Sequence, residues 1–179
     1  MTPAALRDEL RGYVAVDPPE AAMCARIITL LERHGNAALT RALQTAHVTA
    51  SAWIVDPSRA YALLTHHRKL GRWLQLGGHV DGDADVRAAA LREAHEESGL
   101  ESLRLVSSQI YDVDVHTIPA RPGEPAHEHH DIRFLIEADR GEPLVVSSES
   151  KELAWVPLEN LQAYGVDESV LRLARKTPR

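Results

Sequence analysis

Apolar positions recurring every second residue, or every third and fourth, divide the chain into recognisable elements. Residues 47–55 and 61–65 are dense in Val, Ile, Leu, Thr, Trp and Tyr and predict strands around an Asp56-Pro57-Ser58 turn. Further strand-like runs cover 103–106, 109–118, 131–138 and 153–156. Before them, Thr2-Pro3 opens a helical pattern that ends near Gly12, and Asp17-Pro18-Pro19 opens a second that ends near His34-Gly35. Asn36 is placed to cap a third. Met23, Ile27, Leu30 and Leu31 form an apolar stripe on the second helix, which reads as core.

The most informative stretch is 78–100, GHVDGDADVRAAALREAHEESGL. Its spacing predicts a helix from Val86, with Asp85 as N-cap and Gly99 just past the last turn. Glu93, Glu96 and Glu97 stand at i, i+3 and i+4 and share one side, while Ala88, Leu91 and Ala94 point away. Like charges crowded on one side repel, and a divalent cation would relieve them. Hard carboxylate oxygens suit Mg²⁺ or Mn²⁺. Gly77 and Gly78 lie upstream, where a strand has to turn sharply and expose backbone groups. A solvated acidic face is the alternative. The coincidence of glycines, cap and spacing argues against it.

This segment resembles the Nudix box: Gly, five residues, Glu, seven residues, then Arg-Glu-hydrophobic-x-Glu-Glu-x-Gly-hydrophobic. Gly78, Arg92, Glu93, Glu96, Glu97, Gly99 and Leu100 match in register, with Ala94 as the small apolar residue. Ala84 stands where the pattern has its first glutamate, with Asp83 and Asp85 beside it as substitutes. The resemblance implies that Glu93, Glu96 and Glu97 ligate catalytic Mg²⁺ or Mn²⁺, that Gly78 adds its carbonyl, and that Arg92 orients a glutamate. It also implies an α/β fold, an α/β/α sandwich around a mixed sheet. That domain would cover 46–179, with residues 1–45 as a helical extension packed on it or on a second subunit. Trp155 to Leu161 resembles the family's closing strand and helix. The polar loop before it offers an extra glutamate, Glu149 first and Glu152 in reserve, with ordinary exposed loop acids as the alternative for both. The implied reaction is hydrolysis of a diphosphate linkage, expected in a nucleoside diphosphate joined to another group, with Glu96 or Glu149 taking the proton of the attacking water. A Nudix-like sensor that binds without hydrolysis is a second reading. Isopentenyl diphosphate isomerase shares the fold but needs a cysteine near the box, and Cys24 lies elsewhere, in a predicted helix.

Composition narrows the partners. With 179 residues the chain can bury a substantial core, and its 44% of hydrophobic residues includes no run long enough to span a membrane. No basic-then-apolar segment opens the chain, so a cytoplasmic protein is expected. Cys24 is the only cysteine, which excludes an intrachain disulfide and a thiolate zinc site. A net charge of −6 argues against nucleic-acid polymers and leaves small phosphorylated metabolites as substrates. A homodimer is compatible with the helical extension.

Histidine usage is unexpectedly high, with ten in all. If 111–117 and 127–134 pair as a hairpin, Asp112, Asp114 and His116 face the same way as His127, His129 and Asp131. His116, His127 and His129 would then suit zinc or a second catalytic ion. Contacts to substrate phosphate, or a solvated loop around Pro119, Pro122, Gly123 and Pro125, are the alternatives. Ahead of the box, Arg68, Arg72 and Trp73 sit in a basic segment that reads equally as a surface turn or as a substrate-facing wall. His79, beside the glycines, belongs with these substrate-side candidates.

Overall fold

The computed structural model describes residues 1–81, 83 and 85–178, and its first two helices each begin at a capped proline. In α1 (Pro3–Arg11) the Thr2 hydroxyl accepts the N–H of Ala5 at 3.2 Å. In α2 (Pro18–His34) the Asp17 carboxylate accepts the N–H of Glu20 at 2.8 Å. Proline costs nothing in a first turn, whose N–H groups lack helical partners. The predicted third helix is only a 3₁₀ turn over Gly35–Leu39, and Asn36 lies inside it rather than capping it. Ile27, Leu30 and Leu31 are buried as their spacing predicts, together with Cys24, whose thiol donates to the Leu10 carbonyl at 3.4 Å. Cys24 is thus a packing residue. Met23 is half-buried, and its sulfur accepts the N–H of Val115 at 3.2 Å. No helix among the described residues is long and apolar enough to cross a membrane.

Eight strands follow: β1 (Ala46–Val55), β2 (Tyr61–His67), β3 (Arg72–Leu74), β4 (Leu76–His79), β5 (Arg104–Leu105), β6 (Asp112–Ile118), β7 (His127–Glu137) and β8 (Ser150–Pro157). Helix α3 (Val86–Ser98) lies between β4 and β5, and α4 (Glu168–Lys176) closes the described chain. The strands hydrogen-bond in the order β3-β2-β1-β7-β5, with β4 on β1, β6 on β7 and β8 on β2. The pairs β1–β2, β2–β3, β2–β8, β5–β7 and β6–β7 are antiparallel. By contrast β1 and β7 run parallel, because Thr45 and Val55 accept the N–H groups of Glu128 and Ala138 in the same offset at both ends. The fold is therefore α/β with a mixed sheet. Strand β3 occupies the basic segment that reads equally as a surface turn or a substrate-facing wall. Its hydrogen bonds come from β2, through Thr65↔Leu74 and His67↔Arg72, and not from any periodicity of its own.

By contact density the chain forms two units: residues 1–50, 78–89 and 109–133, and residues 51–77, 90–108 and 134–179. In the first, Arg133 is nearly inaccessible and its guanidinium meets three aspartates, Asp131 at 2.8 Å and Asp112 and Asp114 each at 3.3 Å. The β6–β7 register sets Asp114 opposite Asp131 and His116 opposite His129, which is the convergence predicted for a hairpin. Asp131 also accepts the Thr49 hydroxyl at 2.9 Å, tying in β1.

In the second unit, Ala52, Ile54, Leu63, Leu76, Ala94, Leu100, Ile136, Ala138 and Leu153 form the apolar core. Gly99 has φ 71°, and a Cβ there would fall 2.7 Å from the Cβ of Val145, so the position needs glycine for conformation and for space. Along α3 the sequence reading needs a correction. Ala88 is exposed, and the buried line runs through Val86, Ala89, Ala90, Ala94 and Glu97. The spacing of the acids is as predicted, but the helix turns Glu97 onto its apolar side. The N-cap holds: Asp85 Oδ1 accepts the N–H of Arg87 at 2.9 Å. Asp85→Ala should lower the folding free energy by about 1 kcal/mol, read from a denaturant midpoint, with turnover per folded molecule unchanged. A stability-neutral variant would remove the cap. Ala84, the departure from the box pattern, lies outside the described residues.

Candidate functional site

The acidic site begins inside β4, where Gly77 and Gly78 lie within the strand and not at the sharp turn that the sequence suggests. Gly77 adopts φ 152°, a conformation open to glycine, and its N–H donates to Glu97 Oε2 at 2.9 Å. Glu97 is 5% exposed. Burial pushes its carboxyl up to about 7; the Gly77 N–H opposes this, and the charges of Glu93, Glu149 and Glu96 reinforce it. Burial also raises Glu93, against the hydrogen bond from Arg92, with the charges of Glu96 and Glu149 adding to the rise. Arg92 donates to Glu93 Oε1 at 2.8 Å and reaches Glu96 Oε2 at 3.5 Å. Glu96 is the exposed acid of the set. Gly78 follows Gly77 directly in β4.

Glu149 joins this group from a distant part of the chain, since its charge is felt at both Glu93 and Glu97. Arg68 holds the loop that carries it. Its Nε donates to the Ser148 carbonyl at 3.0 Å, a terminal nitrogen to the Ser150 carbonyl at 2.8 Å, and its backbone N–H to the Glu149 carbonyl at 2.8 Å. The sequence leaves Arg68 open between a surface turn and a substrate-facing wall; in the structure its guanidinium holds the loop that carries Glu149. Glu152 lies in β8 opposite His66, exposed. Trp73 stacks on His66 with ring centroids 5.1 Å apart and meets the edge of Tyr164 at 5.2 Å, while Arg72 is exposed at the start of β3. Tyr164 was not legible as a site residue, because only tertiary packing brings its 3₁₀ turn to β3.

In the other unit, His127 and His129 come together as their alternation on β7 implies, with Nε2 atoms 3.2 Å apart. His47 and His79 join them. The His47 ring centroid lies 5.0 Å from those of His127 and His129 and 5.1 Å from that of His79. His79 thus belongs to a histidine cluster rather than standing alone. Burial pushes it down to about 4, and pushes His129 down to about 2 with help from the neighbouring imidazoles. His116 stands 5.5 Å from His129 and its Nδ1 lies 3.0 Å from Asp114 Oδ2. Sequence reasoning missed His47, whose only signal is a polar residue alternating with Thr49 and Ser51 in an otherwise apolar strand.

A strand glycine that holds a buried glutamate among further acids on a helix, carried by a mixed-sheet α/β fold, gives an all-oxygen donor set suited to a hard divalent cation. The family model for the NUDIX domain matches residues 45–175, and the chain belongs to that family. Solved structures agree on the fold. A NUDIX-family hydrolase from Clostridium perfringens is 26% identical, covers 73% of this chain and 95% of its own, and superposes with a TM-score of 0.57. A C. elegans Ap4A hydrolase is 21% identical, covers 72% and 93%, and gives 0.58. The dihydroneopterin triphosphate pyrophosphohydrolase of E. coli is 18% identical over 72% and 92%, with a TM-score of 0.57. A comparison of the sequence with curated proteins found no match.

Proposed function

We propose that the chain hydrolyses, with Mg²⁺ or Mn²⁺, the diphosphate linkage of a nucleoside diphosphate joined to another group. The observation that carries this reading is Glu97, buried, held by the Gly77 N–H and surrounded by the charges of Glu93, Glu96 and Glu149. A carboxylate so enclosed disfavours its own charge, and an all-oxygen donor set of this kind fits a hard divalent cation. Glu93, Glu96 and Glu97 would hold the ion. Such an ion, when bound, neutralises charge on a diphosphate and lowers the pKa of water.

The chain's own residues supply the rest. Arg92 holds Glu93 and so keeps one ligand oriented. Glu149 accepts the proton of the attacking water, from a loop that Arg68 keeps in place. Glu96, the exposed acid, is the alternative base. Trp73, stacked on His66 and set edgewise against Tyr164, is the aromatic candidate on the substrate side. Neighbours of this fold act on substrates as different as Ap4A and dihydroneopterin triphosphate by their names. Fold alone therefore does not choose the leaving group.

The test is a metal-supplemented screen of nucleotide sugars, dinucleotides, nucleoside triphosphates and ADP-ribose. Turnover is expected for a nucleoside diphosphate carrying a second moiety, and is expected to vanish with chelator. Binding of such a compound without any product would replace this reading with that of a ligand sensor.

The pH dependence of metal stabilisation checks the site independently of the substrate. The Glu97 carboxyl rises from an ordinary 4.5 to about 7 in the fold, so its ionised form opposes folding. This cost is absent below 4.5, grows between the two values, and is complete above about 7. An ion that relieves it should raise the melting temperature more at pH 8 than at pH 5. An Mg²⁺ effect equal at both pH values would detach the ion from Glu97.

A further inference from the structure

We propose that His47, His127 and His129 form a binding site for a borderline divalent transition ion of the zinc class, held by a ligand set separate from the box glutamates. The nitrogen atoms that these three residues can offer all lie within 4.8 Å of one another. Two nitrogens on one tetrahedral zinc, each at about 2.0–2.1 Å, stand roughly 3.3 Å apart. Nε2 of His127 and Nε2 of His129 stand 3.2 Å apart.

The tautomers fit the same geometry. His127 Nδ1 lies 2.9 Å from the Pro125 carbonyl, and His47 Nδ1 lies 3.4 Å from the Leu43 carbonyl. A carbonyl accepts only, so each Nδ1 carries the proton and each Nε2 keeps its lone pair. A backbone carbonyl on the second ring nitrogen is the usual support of a ligating histidine. Nε2 of His47 is buried and has no hydrogen-bond partner in the described structure, although the residue is only 4% exposed. A buried acceptor left without a donor costs free energy that an apolar residue would avoid. The metal-bound form of His129 is its Nδ1–H tautomer, which turns a third Nε2 lone pair to the same point.

The fold supplies the rigidity such a site needs. His127 and His129 alternate on β7, His47 projects from β1, and the Thr49–Asp131 hydrogen bond ties the two strands one step further along. His79, His116 and Glu124 border the fourth position: the His79 ring is 5.3 Å from that of His129, the His116 ring 5.5 Å, and Glu124 Oε1 lies 3.8 Å from His127 Nε2. Imidazole donors select zinc, cobalt, nickel or copper over magnesium. This donor set therefore does not compete for the ion proposed at the carboxylates.

The experiment uses the full chain without an affinity tag, freed of metal by chelator and dialysed. Zn²⁺ and Co²⁺ are titrated calorimetrically, and the visible d–d absorption of bound Co²⁺ reports its coordination. The expected result is one equivalent bound per chain, a tetrahedral Co²⁺ spectrum and a higher melting temperature. His47→Gln and His127→Ala should each weaken Zn²⁺ binding by more than about 100-fold, since each removes a ligand outright. Should His127→Ala not fold, judged by circular dichroism of the metal-free protein, His47→Gln and His129→Gln carry the comparison. Glu97→Gln should keep Zn²⁺ binding intact, so failure of the carboxylate site cannot be mistaken for failure of this one. Absence of a tight equivalent, binding unchanged in the histidine variants, or binding lost in Glu97→Gln would each overturn the proposal.

Discussion

Glu97→Gln is expected to lower turnover of the best diphosphate substrate by about 10²- to 10⁴-fold, or further if an ion is lost with the ligand, while the protein stays folded. The substitution preserves shape and removes a charge. Because Glu97 is buried and its ionised form is disfavoured, an uncharged amide there should leave stability equal or higher at pH 8. The Gly77 N–H still finds an oxygen to bond, so the link from β4 to α3 is kept. The decisive combination is thus a collapsed kcat with an unchanged or raised melting temperature, measured in excess Mg²⁺ with a chelated control. Normal turnover by Glu97→Gln would remove the acidic cluster from the reaction. A fall in activity that merely tracked unfolding would give Glu97 a structural role.

Arg133→Met should be strongly destabilising, at about 3–5 kcal/mol, because it removes the guanidinium that faces three buried or nearly buried carboxylates. Arg133 has a side chain 2% exposed, and it meets Asp112, fully buried, and Asp131, 2% exposed. Methionine fills much of the volume but offers no donor to any of the three aspartates. For a chain of this size the loss corresponds to a fall of roughly 6–20 °C in melting temperature. Replacing Asp112 and Asp131 by Asn in the same background should recover part of it, since amides tolerate burial better than unpaired charges. Arg133→Met with a wild-type melting temperature would show that the cluster contributes little. The histidines share these strands, so the same variant should also weaken Zn²⁺ binding.

The acidic box was legible because its signal is local. Glu93, Glu96 and Glu97 share a helix side by spacing alone, and Asp85 and Gly99 mark its ends through backbone needs that sequence expresses directly. Paired alternation on β6 and β7 likewise places His116, His127 and His129 in one neighbourhood. What periodicity could not rank was the depth of each position. Ala88 looked inward and is exposed, while Glu97 looked outward and is buried, because the sheet and not the helix decides which arc of α3 is covered.

Contacts between residues far apart in the chain were decided by tertiary structure alone. Arg68 reads equally as part of a surface turn or as a substrate-facing cation, and strand pairing of β2 with β8 carries it to the loop of Glu149, where open carbonyls use its donors. His47 is one polar letter in a strand, and its role appears only when β1 lies parallel to β7 and sets it beside His127 and His129. The sequence by itself determined the elements, the acidic helix and the family. The physical reason is that helix periodicity, caps and turns depend on neighbours within a few residues. Burial, charge pairing and the meeting of four histidines depend on which strands lie side by side, and that is settled by the packing of the whole sheet.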